Sequence, residues 1–205
     1  MSTNVLLICG SLQRMSANRA ALDGVRSVLE ARDGIEVADA SELASIPPFN
    51  PDDEADRAPS VIAFQERVAE ADAVIISSPE YAGALPGTLK NALDWIVGAA
   101  GFYGKPVGLI SAGSTGGEHA RQQLIRTLSW QGAHIVSHLG IAAPRTKSDE
   151  SGRFTDSETI EAIGHLASIT VDALVLPEEE RIALVSAVVS AVGVDPPAIA
   201  PVQQR

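Results

Sequence analysis

Five short apolar runs punctuate the chain: VLLIC at 5–9, IEVAD at 35–39, AVIIS at 73–77, KPVGLIS at 105–111 and HIVSHLGI at 134–141. Each has the length of a strand. Gly10 ends the first, Asp33-Gly34 precedes the second, and Ala-Gly-Ser closes the fourth. Between them lie segments with helical spacing. In SANRAALDGVRSVLEA, residues Ala17, Ala20, Ala21, Val25, Val28 and Leu29 fall largely on one side. Further helices are predicted near 60–71, through LKNALDW, over 117–132 with Leu124, Leu128 and Trp130 as core contacts, and over 156–174. Strands separated by single helices make repeated βαβ units, which close as a parallel sheet covered on both faces. The expected fold is three-layer α/β with five parallel strands. Periodicity leaves the strand order open.

Two connections stand apart. Residues 40–60 are rich in Pro, Asp and Glu around one apolar cluster, IPPF, and read as a long exposed connection; TKSDESGRF at 146–154 reads as a polar one. The tail departs from the pattern: after EEER, the helical stretch at 178–192 is nearly all apolar. It is too short to span a bilayer. It packs on its own domain or against another subunit, and PPAIAPVQQR beyond it reads as a loose end or a strap. The expected division is therefore 1–177 as the main domain and 178–205 as a C-terminal helix and tail at a possible subunit interface.

Composition narrows the function classes. At 205 residues and 45% hydrophobic, the chain can bury one substantial core. Its net charge of -11 makes nucleic acid and anionic membrane surfaces poor partners. The single cysteine, Cys9, excludes an internal disulfide, and the short N-terminal apolar run lacks a basic lead. A cytoplasmic protein is expected.

Ligands of open α/β sheets bind outside the carboxyl ends of the strands. Three loops leave strands there with glycines and hydroxyls: GSLQRMSAN at 10–18, SPEYAGALPG at 78–87 and SAGSTGG at 111–117. They converge if the first, third and fourth strands are neighbours. In the first loop, Ser11, Gln13, Ser16 and Asn18 can donate hydrogen bonds beside a helix N-terminus, so the loop is either an anion site or ordinary capping. Arg14 is a solvated side chain or a contact to a cofactor or nucleotide phosphate. His119 is a surface residue or faces the site. Neither a phosphate-binding Walker loop nor the GxGxxG fingerprint is present. There is no G-x-S-x-G elbow, and Glu80 is the lone carboxylate of its loop, too few for a glycosidase pair. His134 and His138 are four apart, which in a regular strand puts them on one face, but no carboxylate or thiol completes a metal set; no metal is expected.

GSLQRMSANRA, SPEYAGALPGTLKNALDW and SAGSTGG together resemble the NADPH-dependent FMN reductase family and its quinone, azo and chromate reductase relatives, over about residues 4–175. The resemblance implies a flavodoxin-like fold with noncovalent FMN. Hydride would pass from NADPH or NADH through FMN to a small acceptor such as a quinone, free flavin, azo compound or metal oxyanion. It implies that Ser11, Gln13, Ser16 and Asn18 hold the FMN phosphate, with Arg14 adding charge. Pro79, Glu80, Tyr81, Ala82 and Gly83 would line the isoalloxazine, and Ser111, Gly113, Gly116 and Gly117 its other side or the ribityl chain. No catalytic acid or base is required. A homodimer or homotetramer is implied, with the helix of Asn91, Asp94 and Trp95 near the subunit contact. Two positions depart from the family pattern: Gln13 stands where an arginine is usual, and Ala82 where asparagine is usual. An FMN-binding electron carrier and a non-enzymatic flavin-binding regulator are the alternatives.

Overall fold

A computed structural model describes residues 2–192. Five strands, β1 (Thr3–Cys9), β2 (Ile35–Ala40), β3 (Ala73–Ser77), β4 (Pro106–Gly113) and β5 (His134–Ala142), form one parallel sheet in the order β2-β1-β3-β4-β5. Within β1, Val5, Leu7 and Cys9 enter one apolar cluster while Leu6 and Ile8 enter the other. That two-residue alternation is why both faces need helices. Helices α1 (Ala17–Leu29) and α5 (Ser157–Asp172) cover one face; α2 (Pro59–Glu70), α3 (Gly87–Ile96), α4 (Glu118–Trp130) and α6 (Glu178–Ser190) cover the other. On α1, Ala21, Leu22, Val25 and Leu29 form the buried stripe. Truncating the fully buried Leu22 to alanine would cost about 2–5 kcal/mol.

Register places the site. Cys9 pairs with Ser77, so β1 and β3 end level, and Ser77 pairs with Ile110, from which β4 runs on to Gly113; the three loops leave the same edge of the sheet. Gly10 lies where a Cβ would come within 2.9 Å of Leu89 and 3.3 Å of Ser78, so the first loop passes close over the second only with glycine there.

Three expectations change. Trp130 is not a core residue: Leu124 and Leu128, four apart, share the buried face of α4, while Trp130 lies two residues beyond Leu128, around the helix, and is 80% exposed. The 40–60 connection is not simply exposed. Leu43 and Ile46 are buried, and the Pro47 carbonyl accepts from Asn91 Nδ2 (2.8 Å) and Trp95 Nε1 (2.9 Å). Phe49 N–H donates to Asn91 Oδ1, and its ring meets Trp95 edge-on at 5.0 Å. Asn91 and Trp95 are thus engaged within their own chain. Finally, His134 and His138 do not share a face. Val107 pairs with Ile135 but Gly108 with Ser137, an irregularity that gives β5 one extra residue and reverses its alternation. His134 is buried and His138 exposed.

The apolar tail helix packs on β5, with Val185 and Val189 fully buried in the cluster shared with α2, α3 and α4. PPAIAPVQQR lies outside the described residues. No helix among the described residues is long and apolar enough to cross a membrane.

Candidate active site

These strand ends open into one cleft of about 1380 Å³. Of the residues singled out in the sequence, Ser11, Gln13, Arg14, Ser16, Asn18, Pro79, Glu80, Tyr81 and Gly113 line it. Ala82, Gly83, Ser111, Gly116 and Gly117 do not. The reasons are local. Ser111 is fully buried, and its hydroxyl donates to the Ser78 carbonyl at 2.6 Å, tying the fourth strand's exit to the third. Gly117, at φ +61°, backs onto that hydroxyl so closely that a Cβ would sit 1.9 Å from it. Gly116 and Gly117 are therefore packing positions behind the cleft wall.

Asn18 also has a structural role. Its Oδ1 accepts from Ala112 N–H (2.9 Å) and Ser77 Oγ (3.0 Å), and its Nδ2 donates to the Ala112 carbonyl (2.9 Å). The side chain is 3% exposed, with both Oδ1 lone pairs and one of its two Nδ2 hydrogens committed inside the protein. It stitches α1 to the ends of β3 and β4. Ser16 is the N-cap of α1, its hydroxyl accepting from Asn18 N–H at 3.2 Å. Capping and anion binding coexist in this loop. The N–H groups of Leu12, Arg14, Met15, Ser16 and Ala17 meet no protein acceptor among the described residues, while the Gln13 N–H goes to Ser11 Oγ. Unpaired donors at a helix N-terminus, with the Arg14 guanidinium on the rim, suit a phosphate.

In the second loop, Tyr81 and Ala84 exchange backbone hydrogen bonds at 3.0 Å. Ala82 (φ 52°) and Gly83 (φ 70°) turn between them. Two consecutive positive φ angles make a two-residue turn of the type that favours Asn-Gly. Ala82 therefore occupies a left-handed position that asparagine fills at lower cost. The turn holds Tyr81, 54% exposed, on the cleft rim, and Pro79 buried at its base. Glu80 points its carboxylate away to cap α4, accepting from Ala120 N–H at 3.0 Å. The third loop is braced from the edge strand: Arg121 donates to the Gly116 carbonyl (3.3 Å) and to His138 Nδ1 (2.6 Å). Burial first, then the Arg121 charge, pushes the His138 imidazole below its usual range.

The remaining candidates fall away from the chemistry. Cys9 is buried with its thiol on the Ser11 carbonyl, and burial pushes its pKa up, so it is a packing residue. His119 is exposed and absent from the cleft lining. Among the described residues, no three His, Cys, Asp or Glu side chains gather as a metal set.

Sequence reasoning missed one side of the cleft. Ala112, Ser114, Ala143, Pro144, Arg145 and Thr146 line it, as does the turn 148–154. The signal was available: 143–154 follows β5 at the same sheet edge as the other loops. Its polar composition hid it.

Known proteins match this chain along most of its length. The family model described as NADPH-dependent FMN reductase matches residues 3–147. An NAD(P)H-dependent FMN reductase of Pseudomonas aeruginosa is 35% identical over 166 residues, covering 78% of this chain and 88% of the relative. A 2-hydroxy-1,4-benzoquinone reductase of a Burkholderia species is 31% identical, covering 78% and 89%. Among solved structures, the flavoenzyme NAD(P)H:(acceptor) oxidoreductase FerB of Paracoccus denitrificans superposes with a TM-score of 0.71 at 27% identity, over 84% of this chain and 97% of that one.

Proposed function

The chain belongs to the NADPH-dependent FMN reductase family and is an FMN-dependent oxidoreductase supplied by NAD(P)H; on that premise we propose that its acceptor is a quinone. The observation that carries the cofactor site is the set of N–H donors at 12 and 14–17, unpaired among the described residues, beside the Arg14 side chain. The residues fit FMN. The amides of 12 and 14–17 and the side chains of Gln13 and Arg14 would hold its phosphate, while Pro79, Glu80, Tyr81, Ala112 and Gly113 would flank the ring through backbone and Tyr81. When bound, FMN accepts two electrons from the reduced nicotinamide and passes them to the acceptor.

The protein's own work is positioning. The Asn18 stitch and the Ser111–Ser78 bond keep the three strand-end loops at a fixed spacing. The N–H group of Glu80, in the cleft lining, meets no protein acceptor among the described residues, which leaves a dipole free to stabilise negative charge on a ring. Exposed Tyr81 and Met15 offer a flat and a soft apolar surface at the mouth, which suits a planar acceptor. The quinone reading takes its support from that rim and from the benzoquinone reductase relative.

The purified protein should carry an oxidised-flavin spectrum that NADPH or NADH bleaches without oxygen, and added benzoquinone should restore it. Failure to bind FMN would overturn the site; bleaching without restoration by quinones would overturn only the acceptor.

A homo-oligomer in the cytoplasm completes the reading. Its support is the exposed apolar surface of Trp130 (80%) and Val175 (85%), the apolar α6, and a single unpaired thiol. Light scattering on wild type and Trp130→Ser tests the assembly; a monomeric wild type would sink it.

A further inference from the structure

The cleft is larger than one cofactor needs. Pockets for single ligands run to roughly 300–1,000 Å³, against about 1380 Å³ here. The cleft lining extends beyond the strand-end loops, to Ala20, Gly24 and Val28, spaced four apart along α1, to Ile160 of α5 and to the 148–154 turn, and this part forms a second arm of the cleft. A reaction between NAD(P)H and bound FMN needs a second nucleotide in reach of the first. We propose that this arm seats the adenosine end of the donor, and that Arg145 and Arg153 select a donor carrying a 2′-phosphate. The inference rests on the reductase reading above.

Charge is the first argument. In a chain of net charge -11, Arg14, Arg145 and Arg153 all line this cleft. Arg145 is exposed and has no ion pair or side-chain hydrogen bond among the described residues. Arg153 is only loosely held, with Nε 3.8 Å from Asp149 Oδ2 and its side chain 83% exposed. The acids nearby are partly committed. Asp149 folds the turn, accepting from the N–H groups of Ser151 and Arg153 and from the Ser151 hydroxyl. Farther along α1, Arg19 and Arg26 hold both oxygens of Asp39 at 2.6 Å. Asp23 and Glu150 also line the arm and have no cationic partner among the described residues. They would repel a nucleotide from the outer rim, so the arginines have to outweigh them.

Shape is the second argument. Between those arginines and the first loop, the arm presents small and apolar residues, Ala20, Gly24, Val28 and Ile160, a surface that takes a flat base. A guanidinium is the side chain best matched to a phosphate, through paired hydrogen bonds.

The test is calorimetric binding of 2′,5′-ADP and 5′-AMP to the FMN-loaded protein. Wild type should bind 2′,5′-ADP roughly tenfold or more tightly than AMP, as charge-assisted hydrogen bonds predict. Arg145→Gln and Arg153→Gln should each remove much of that margin and leave AMP binding and the flavin spectrum unchanged. Arg126→Gln, on α4 and absent from the cleft lining, should alter neither probe. Equal or undetectable binding of the two probes to wild type would overturn the proposal, as would an equal effect of Arg126→Gln. Loss of FMN in the Arg145 or Arg153 variants would also overturn it, assigning those arginines to the cofactor's phosphate. Wild-type protein that holds no FMN would instead sink the reductase reading.

Discussion

At the floor of the cleft, where β1, β3 and β4 end, the polar side chains are committed to one another: Asn18 to Ala112 and Ser77, and Ser111 to Ser78. At the rim, Gln13, Arg14, Tyr81 and Arg145 are exposed, and the backbone amides of 12 and 14–17 have no protein partner. The same residue classes, amides and hydroxyls next to glycine, thus do two jobs within one site. Burial decides which. A polar atom sealed from water must find a partner within the protein, so floor residues are spent on holding the loops together. Rim atoms keep water as their partner until a ligand replaces it, and so remain available for binding.

Changes at the floor should cost stability, and changes at the rim should cost binding alone. The largest effect is expected for Asn18→Ala, which strips the Ala112 N–H and C=O and the Ser77 hydroxyl of their partner. Chemical unfolding should show a loss of about 2–4 kcal/mol; a loss under about 1 kcal/mol would mean the floor is not sealed. Glu80 lies between the two regions. Glu80→Ala should cost about 1 kcal/mol as a lost helix cap, whereas Glu80→Gln, whose amide oxygen still accepts from Ala120 N–H, should be close to neutral. Equal losses would instead make the negative charge the working feature.

A smaller effect of opposite sign is expected at the turn. Ala82→Asn should raise stability by about 0.5–1 kcal/mol, because asparagine tolerates the left-handed conformation better, and the thermal midpoint should rise with flavin content unchanged. The smallest is a pH effect. Burial and Arg121 depress the His138 pKa in the folded state, so the unfolded chain binds more protons below the usual value of about 6.5. Stability from this group is present above about pH 6.5 and lost as pH falls towards the folded pKa. Burial and Arg181 depress His134 in the same direction. Thermal midpoints should therefore fall between about pH 7 and pH 5, and His138→Asn should flatten part of that slope. An unchanged slope would remove His138 as the group that titrates.

Much of this was legible in one dimension. The strand runs at 5–9, 73–77 and 105–111 appear as elements within a residue or two, because strands buried on both faces must be continuously apolar. Three strand-end loops and the family resemblance they carry pointed to the cleft. What the linear pattern could not separate was floor from rim. Asn18 and Ser16 read as phosphate donors or capping residues; Ser16 caps α1, and the linear pattern gave no sign that Asn18 also stitches α1 to the sheet. Trp130 read as core because of its large apolar ring, although its position two residues beyond Leu128 turns it away from the buried face of α4. The spacing of His134 and His138 put them on one face of a regular strand, and a single extra residue in β5 separated them.

The sequence by itself determined the alternation of strand and helix, the glycine-bearing loops at the strand ends and the family, since each depends on local pattern. Only the tertiary structure decided the strand order that made those loops neighbours, which polar side chains were consumed in joining them, and that the 143–154 connection completes the cleft. Those outcomes depend on which atoms lose water when distant segments meet, and no local pattern records that.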